Sequence, residues 1–190
     1  VSEAVRRLSG IEDQLPHRVV PNFIGGLPEP PPADEPALRE LPSEPFVLYF
    51  GDVTEDKGVG TLLEAWRGLP EAPPLVLVGR LELSGAAEEP GVIALGRLPH
   101  QVAIEAVRRS AFTVAPSLLP EAFGIVALEA AAAGKPTVAS AIGGLTDVVV
   151  DGETGLLVPP GDAAALRNAL ARLIADAALR ERLGAAARER

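Results

Sequence analysis

The chain contains no cysteine and no methionine, and its 190 residues include only one tryptophan, one tyrosine, five phenylalanines and two histidines. Each shortage removes a class of chemistry. Without cysteine there is neither a disulfide framework nor a thiolate metal site, and two histidines leave little from which to build a zinc centre. Cations are also scarce: 17 Lys and Arg stand against 26 Asp and Glu, a formal net charge of -9 with a pI near 4.8. A surface that follows a phosphate backbone needs clustered Lys and Arg, so nucleic acid is not an expected partner and any anionic ligand must be met locally. No apolar run reaches the ~20 residues of a membrane-spanning helix, and the first residues lack the charged-then-apolar layout of a signal peptide. The expectation is a soluble, cytoplasmic protein.

What is present is enough for one well-cored domain and too little for two: 47% of residues are hydrophobic and the mean hydropathy is +0.23. The chain opens on Val1 and closes in the helical pattern AALRERLGAAARER without a stop signal, as expected of a piece of a longer protein. Ser2 followed by EAVRRL predicts a short amphipathic helix, and HRVVPNFI from His17 to Ile24 predicts a strand meeting a Pro-Asn turn. Residues 1–27 thus form an opening segment. Residues 28–45, rich in Pro and Glu, predict an extended, solvated linker of passive role.

From residue 46 to 190, short apolar runs alternate with helical periods. The strands expected are FVLYF (Phe46 to Phe50), LVLV (Leu75 to Val78), VIAL (Val92 to Leu95), FTVA (Phe112 to Ala115) and TVAS (Thr137 to Ser140). The helices expected are VGTLLEAW, HQVAIEAVRR, the stretch between Phe123 and Gly134, and one or two closing helices. Apolar strands separated by helices predict a parallel sheet covered on both faces, a doubly wound α/β domain. In such sheets ligands bind beyond the carboxyl ends of the strands. Gly51, Gly79, Gly96 and the pair Gly143 and Gly144 stand at or just past those ends, where backbone can approach a ligand closely.

One helix poses a question. FGIVALEAAAAG is apolar on every side apart from Glu129, and a helix of that kind is buried. Taking an unpaired carboxylate out of water costs several kcal/mol. Glu129 must therefore shift its pKa, find a protein cation, or wait for a ligand such as the vicinal hydroxyls of a ribose. Glu121 precedes the same helix, and helical Cβ atoms lean toward the N-terminus, so both acids can face the space above it. The free N–H groups near Gly124, Ile125 and Val126 suit a phosphate there. The plainer alternative makes Glu121 a first-turn acid favoured by the helix dipole and Glu129 a buried partner of an arginine.

Only Lys57 and Lys135 are lysines. Lys57, where a helix opens after the first strand, can reach a diphosphate. Lys135 follows Gly134, and a cation past a helix C-terminus needs no functional explanation. His17 reads as a surface residue and His100 as a helix-start residue, neither with a catalytic partner. GVGTLL lacks the last Gly of a dinucleotide fingerprint and the Gly-Lys-Ser/Thr of a P-loop, and no Asp-x-Asp pair is present to hold a divalent metal.

The segment PSLLPEAFGIVALEAAAAGKPTVASAIGG, Pro116 to Gly144, resembles the signature of family 4 retaining glycosyltransferases (glycosyl transferase group 1) of the GT-B fold, with its Glu-x7-Glu pair at Glu121 and Glu129. The likeness extends through YFGDVTEDKGVGTLLEAW, LVLVGR, VIALGRLPH and LTDVVVDGETGLLVPPGD, from about Phe46 to the end, and VSEAVRR and VVPNFI within residues 1–27 look like a remnant of the family's N-terminal domain and the crossing between domains. The resemblance implies the C-terminal, nucleotide-sugar-binding half of a GT-B enzyme, with a Rossmann-like sheet. It implies that Glu129 holds the ribose hydroxyls, that Glu121 sits by the donor sugar in the catalytic position, and that the backbone of Phe123, Gly124, Ile125 and Val126 meets the diphosphate. Lys57 would neutralise that diphosphate, Gly51 would lie beside it, and the loop Gly96, Arg97, Leu98 would lie against the base. Where many members carry Arg in Gly-Arg-Leu, this chain has Asp52, with Arg80 as the helper expected in its place.

The resemblance further implies a nucleotide-diphosphate sugar as donor substrate, no cofactor and no metal. The acceptor, a sugar, lipid or small molecule, would be met through a missing N-terminal domain, which could also contact a membrane peripherally. A fragment without that domain is expected to be inactive alone. A nucleotide-sugar-binding module without catalysis, or another GT-B reaction such as epimerisation or phosphorolysis, are the alternatives.

Overall fold

The computed structural model describes residues 24–69 and 71–190; the helix expected from Ser2 and the strand expected from His17 lie outside the described residues. Among the described residues six strands form a single sheet: β1 Val47–Phe50, β2 Leu75–Val78, β3 Val92–Gly96, β4 Phe112–Ala115, β5 Thr137–Ser140 and β6 Gly155–Val158. Every neighbouring pair is parallel, in the order β3-β2-β1-β4-β5-β6. The helices are α1 Val59–Arg67, α2 His100–Arg109, α3 Ile125–Ala132, the single turn α4 Leu145–Val148, α5 Ala163–Ala175 and α6 Ala177–Glu189. Strand order reverses between β1 and β4, the topological switch point of a doubly wound sheet.

Side chains on successive strand residues point to opposite faces, and both faces are covered. Val47, Tyr49, Leu75 and Leu77 pack with α1, α5 and α6 through Leu62, Trp66, Leu166, Leu170 and Leu183. Leu48, Val76 and Val78 pack against Val102, Ala106 and Val107 of α2 and Ala130 of α3. A smaller cluster joins Ala127, Ala139, Leu145 and Val149. The closing pattern is two helices, because Asp176 breaks it: its carboxylate accepts from Leu179 N as Asp162 accepts from Ala165 N, each at 2.9 Å.

The structure differs from the expectation at two places. The Pro/Glu-rich segment packs against the domain: Pro31, Leu38 and Leu41 are buried, a 3-10 turn spans Pro36–Glu40, and Leu38 and Leu41 join the α2 core. Gln101 donates to the Glu29 carbonyl at 2.7 Å and Arg108 to the Pro28 carbonyl, so the strap is tied to α2. Composition masked three apolar anchors among prolines. The second difference is β6, where Gly155 opens the strand because a Cβ there would lie 2.3 Å from the Thr137 carbonyl oxygen. Among the described residues no helix is long and apolar enough to cross a membrane.

Candidate functional site

The two loops that leave β1 and β4 meet at the switch point. Gly58 caps α1 at φ +74, and a Cβ there would sit 1.9 Å from the Pro116 carbonyl oxygen. Only glycine allows that approach. Leu118 N donates to the Asp56 carbonyl at 2.9 Å, closing the same seam. The result is that Lys57 Nζ stands 3.1 Å from Glu121 Oε1. The hydroxyl of Ser117, buried at the start of the loop after β4, donates to the same Oε1. From the other side Gly144 N donates to the Glu121 carbonyl at 2.7 Å, and a Cβ on Gly144 would lie 2.3 Å from Phe123 Cα. The glycine pair after β5 thus braces the loop that carries Glu121.

These loops enclose an open cavity of about 480 Å³ lined by Asp56, Lys57 and the run from Leu119 to Val126. α3 begins at its floor with Gly124 at φ +82 and no side-chain cap, so the first N–H groups of the helix are not capped by any side chain. Phe123 and Gly124 are buried, Val126 is half-buried, and Leu119 and Ile125 stand out at the rim, 59% and 53% exposed. Lys57, Glu121, Phe123, Gly124, Ile125 and Val126 are therefore brought together as expected from the sequence.

Glu129 lies five residues into α3, 8% exposed, and does not line that cavity, which corrects the expectation that both acids face the space above the helix start: a turn and more into the helix, its side chain is buried beside α2. Its partner is a histidine: Nε2 of His100 stands 2.6 Å from Oε1 of Glu129. His100 opens α2 as expected of a helix-start residue, and among the described residues it, rather than an arginine, is the partner of Glu129. The crossover from β3 to β4 carries α2 back over the sheet to lie beside α3, which brings the first residue of α2 to the middle of α3. The two acids share a pattern. Each is held through Oε1, Glu121 by Lys57 and Ser117 and Glu129 by His100, and among the described residues no partner is recorded for either Oε2.

A separate group lies over the ends of β1, β2 and β3. Asp52 accepts from Arg80 Nη2 at 2.9 Å and Arg80 Nη1 pairs with Glu82 at 2.7 Å. The hydrogen bond from Arg80 holds the Asp52 carboxyl below its ordinary value, with Arg97 adding to the effect. Arg80 is thus engaged by two acids. Gly51 and Gly96 both have positive φ at the strand ends, Arg97 is exposed and Leu98 packs on the α2 core. Tyr49, 3% exposed at the end of β1, donates its hydroxyl to the Asp52 carbonyl at 2.6 Å. Burial, then the charges of Glu121, Asp52 and Asp56, push its phenol far above the ordinary tyrosine value.

Lys135 sits at the opposite end of α3, where Gly134 N and Lys135 N donate to Ala131 and Ala130 in a Schellman closure. It stands away from the cavity, and burial together with Arg180 lowers its pKa. Among the described residues no group of three or more His, Asp and Glu gathers to hold a metal ion. Ser117 and His100 are the site residues that sequence reasoning passed over. The need of buried Glu129 for a partner, combined with the β3 to β4 crossover, points to His100; nothing in the local pattern marks Ser117.

A doubly wound parallel sheet with a cavity over an uncapped helix end at its switch point is the arrangement in which α/β domains bind nucleotides. The model of the family "Glycosyl transferases group 1" matches residues 32–190, and the chain belongs to that family. It is 39% identical over 152 residues to a phosphatidyl-myo-inositol mannosyltransferase of Mycobacterium leprae, covering 75% of this chain and 41% of the relative. It is 36% identical over 211 residues to a D-inositol 3-phosphate glycosyltransferase of Xylanimonas cellulosilytica, covering 98% and 49%. Among solved structures it resembles Anabaena HepE in complex with UDP-glucose, with a TM-score of 0.67 and 26% identity over 77% of this chain and 43% of that one. The chain spans less than half the length of these relatives, and its sheet is the Rossmann-like kind of GT-B glycosyltransferases.

Proposed function

We propose that this chain is the donor-binding half of a retaining, family 4 glycosyltransferase that moves a hexose-like sugar from a nucleoside diphosphate to an acceptor. The observation that carries this is the meeting of Lys57 and Glu121 above the uncapped start of α3. The diphosphate would lie on the backbone N–H groups of Phe123, Gly124, Ile125 and Val126, with Lys57 neutralising it. Lys57 is 37% exposed and its present ion pair is of a kind worth only ~0.2–1 kcal/mol. A diphosphate carries more charge than one carboxylate, so Lys57 can turn to it at little cost. Cation and helix dipole together would stabilise the charge that grows on the leaving diphosphate as the glycosidic C–O bond breaks.

The Oε2 of Glu121, without a partner among the described residues, would accept hydroxyls of the donor sugar, and that of Glu129 the ribose. The nucleotide sugar is substrate, and we propose that the transfer needs neither cofactor nor metal. The base would rest against Gly96, Arg97 and Leu98, with Gly51 and Asp52 beside the donor and Arg80 in reserve. The acceptor would be met by a further domain, which would close the cleft and exclude water in the cytoplasm. Support comes from the family, from the HepE complex with UDP-glucose, and from the cavity at the helix end.

Calorimetry of the chain with UDP, GDP and ADP tests the proposal. One of the three is expected to bind with micromolar to millimolar Kd, and Glu129→Gln to weaken it about tenfold. Absence of binding to all three would remove the donor assignment. One observation favours a second view, a binding module without catalysis: Arg80, the cation nearest the position of Asp52, is held by two acids. Transfer by the full-length protein separates the two.

A further inference from the structure

We propose that His100 is a positioning residue for the nucleoside, holding Glu129 in the one orientation that receives the ribose hydroxyls; this rests on the ribose assignment made above. Nε2 of His100 stands 2.6 Å from Oε1, and with Glu129 as a carboxylate, which only accepts hydrogen bonds, the tautomer bearing its proton on Nε2 is the one that donates to it. The terminal torsion of a glutamate is soft and broad, and a carboxylate without a fixed partner can turn about it freely. The imidazole removes that freedom. With Oε1 tied to α2, the plane of the carboxylate is set, and among the described residues Oε2 is the atom left to accept.

Burial makes the arrangement selective. The side chain of Glu129 is 10% exposed while that of His100 is 60% exposed. The acid is the part embedded in the fold, and the histidine is a mostly solvated arm reaching over it from another element. A residue so exposed adds little to the core, so its contact is with Glu129 rather than with packing. Hydroxyl donors that reach Oε2 would meet a largely buried acceptor held in one orientation, and a nucleotide without those hydroxyls would leave the acceptor unanswered. The pair therefore selects ribonucleotides, and His100 contributes through the hydroxyls alone.

The test compares UDP, GDP and ADP with their 2′,3′-dideoxy counterparts, by calorimetry, on the wild-type chain, His100→Ala, His100→Gln and Glu129→Gln. For the ribonucleotide that binds, His100→Ala is expected to raise Kd about tenfold while its dideoxy counterpart changes less than about twofold. His100→Gln, whose amide N–H can reach the same oxygen, should recover most of the loss. Thermal unfolding should be nearly unmoved in both His100 variants, since the side chain is exposed. Equal losses for the ribo and dideoxy forms would overturn the proposal, because His100 would then serve the base or the fold. Unchanged or tighter ribonucleotide binding by His100→Ala would overturn it too, the latter showing the histidine to be an obstacle. Failure of the ribose assignment itself has another signature: the wild type would not distinguish ribo from dideoxy forms and Glu129→Gln would change neither.

Discussion

At the scale of single residues, the site is set by which oxygen of each acid is occupied. Lys57 and Ser117 converge on one oxygen of Glu121, and His100 takes one oxygen of Glu129. Lys57→Ala should weaken nucleoside diphosphate binding by about tenfold, as expected for loss of a charge-assisted contact to phosphate, and a change below about twofold would remove Lys57 from the site. Tyr49 gives a prediction on pH. Its folded phenol titrates above the unfolded one, so the folded state keeps its proton where the unfolded chain loses it, and stability falls as pH rises past ~10. The loss should approach about 1.4 kcal/mol per pH unit from this group. Urea unfolding of Tyr49→Phe between pH 9 and 11 should lack that slope, at the cost of ~1 kcal/mol at neutral pH for the lost hydrogen bond to Asp52; identical slopes would contradict the assignment. The acids and Lys57 were legible as types in a pattern. His100 was not, because its partner lies on another helix and only the topology joins them.

At the scale of elements, apolar runs gave away five strands and their helices because parallel strands buried on both faces leave continuous hydrophobic stretches. β6 begins at a glycine inside a turn-rich segment and its apolar run, Leu156 to Val158, is short and flanked by turn residues, and the strap of residues 28–45 hid Pro31, Leu38 and Leu41 among prolines and acids. Contacts between distant elements decided both. The seam between the β1 and β4 loops is the element on which the site depends. Gly58→Ala would push a Cβ to 1.9 Å from the Pro116 carbonyl oxygen at a φ of +74. Neither backbone can yield cheaply, so unfolding by urea should show a loss of roughly 2–4 kcal/mol. Donor binding should fall with it, because Lys57 is aimed by that turn. Full stability in Gly58→Ala would show that the two loops separate without cost.

At the scale of the whole molecule, the domain presents an open cavity with Leu119 and Ile125 exposed at its rim. Orienting two substrates and excluding water both require a second wall. The 190-residue chain should therefore bind donor yet show no sugar transfer from UDP- or GDP-sugars, by product chromatography, to simple acceptors. Transfer by the chain alone would mean that the visible residues suffice.

The measurement that bears most directly on the buried acid is a crystal structure of the chain with its bound nucleoside diphosphate. The ribose hydroxyls should lie within hydrogen-bond distance of Glu129, with His100 still on Oε1 and the diphosphate against Lys57 and the start of α3. A nucleotide seated with its ribose away from Glu129, while His100 and Glu129 keep their contact undisturbed, would contradict it.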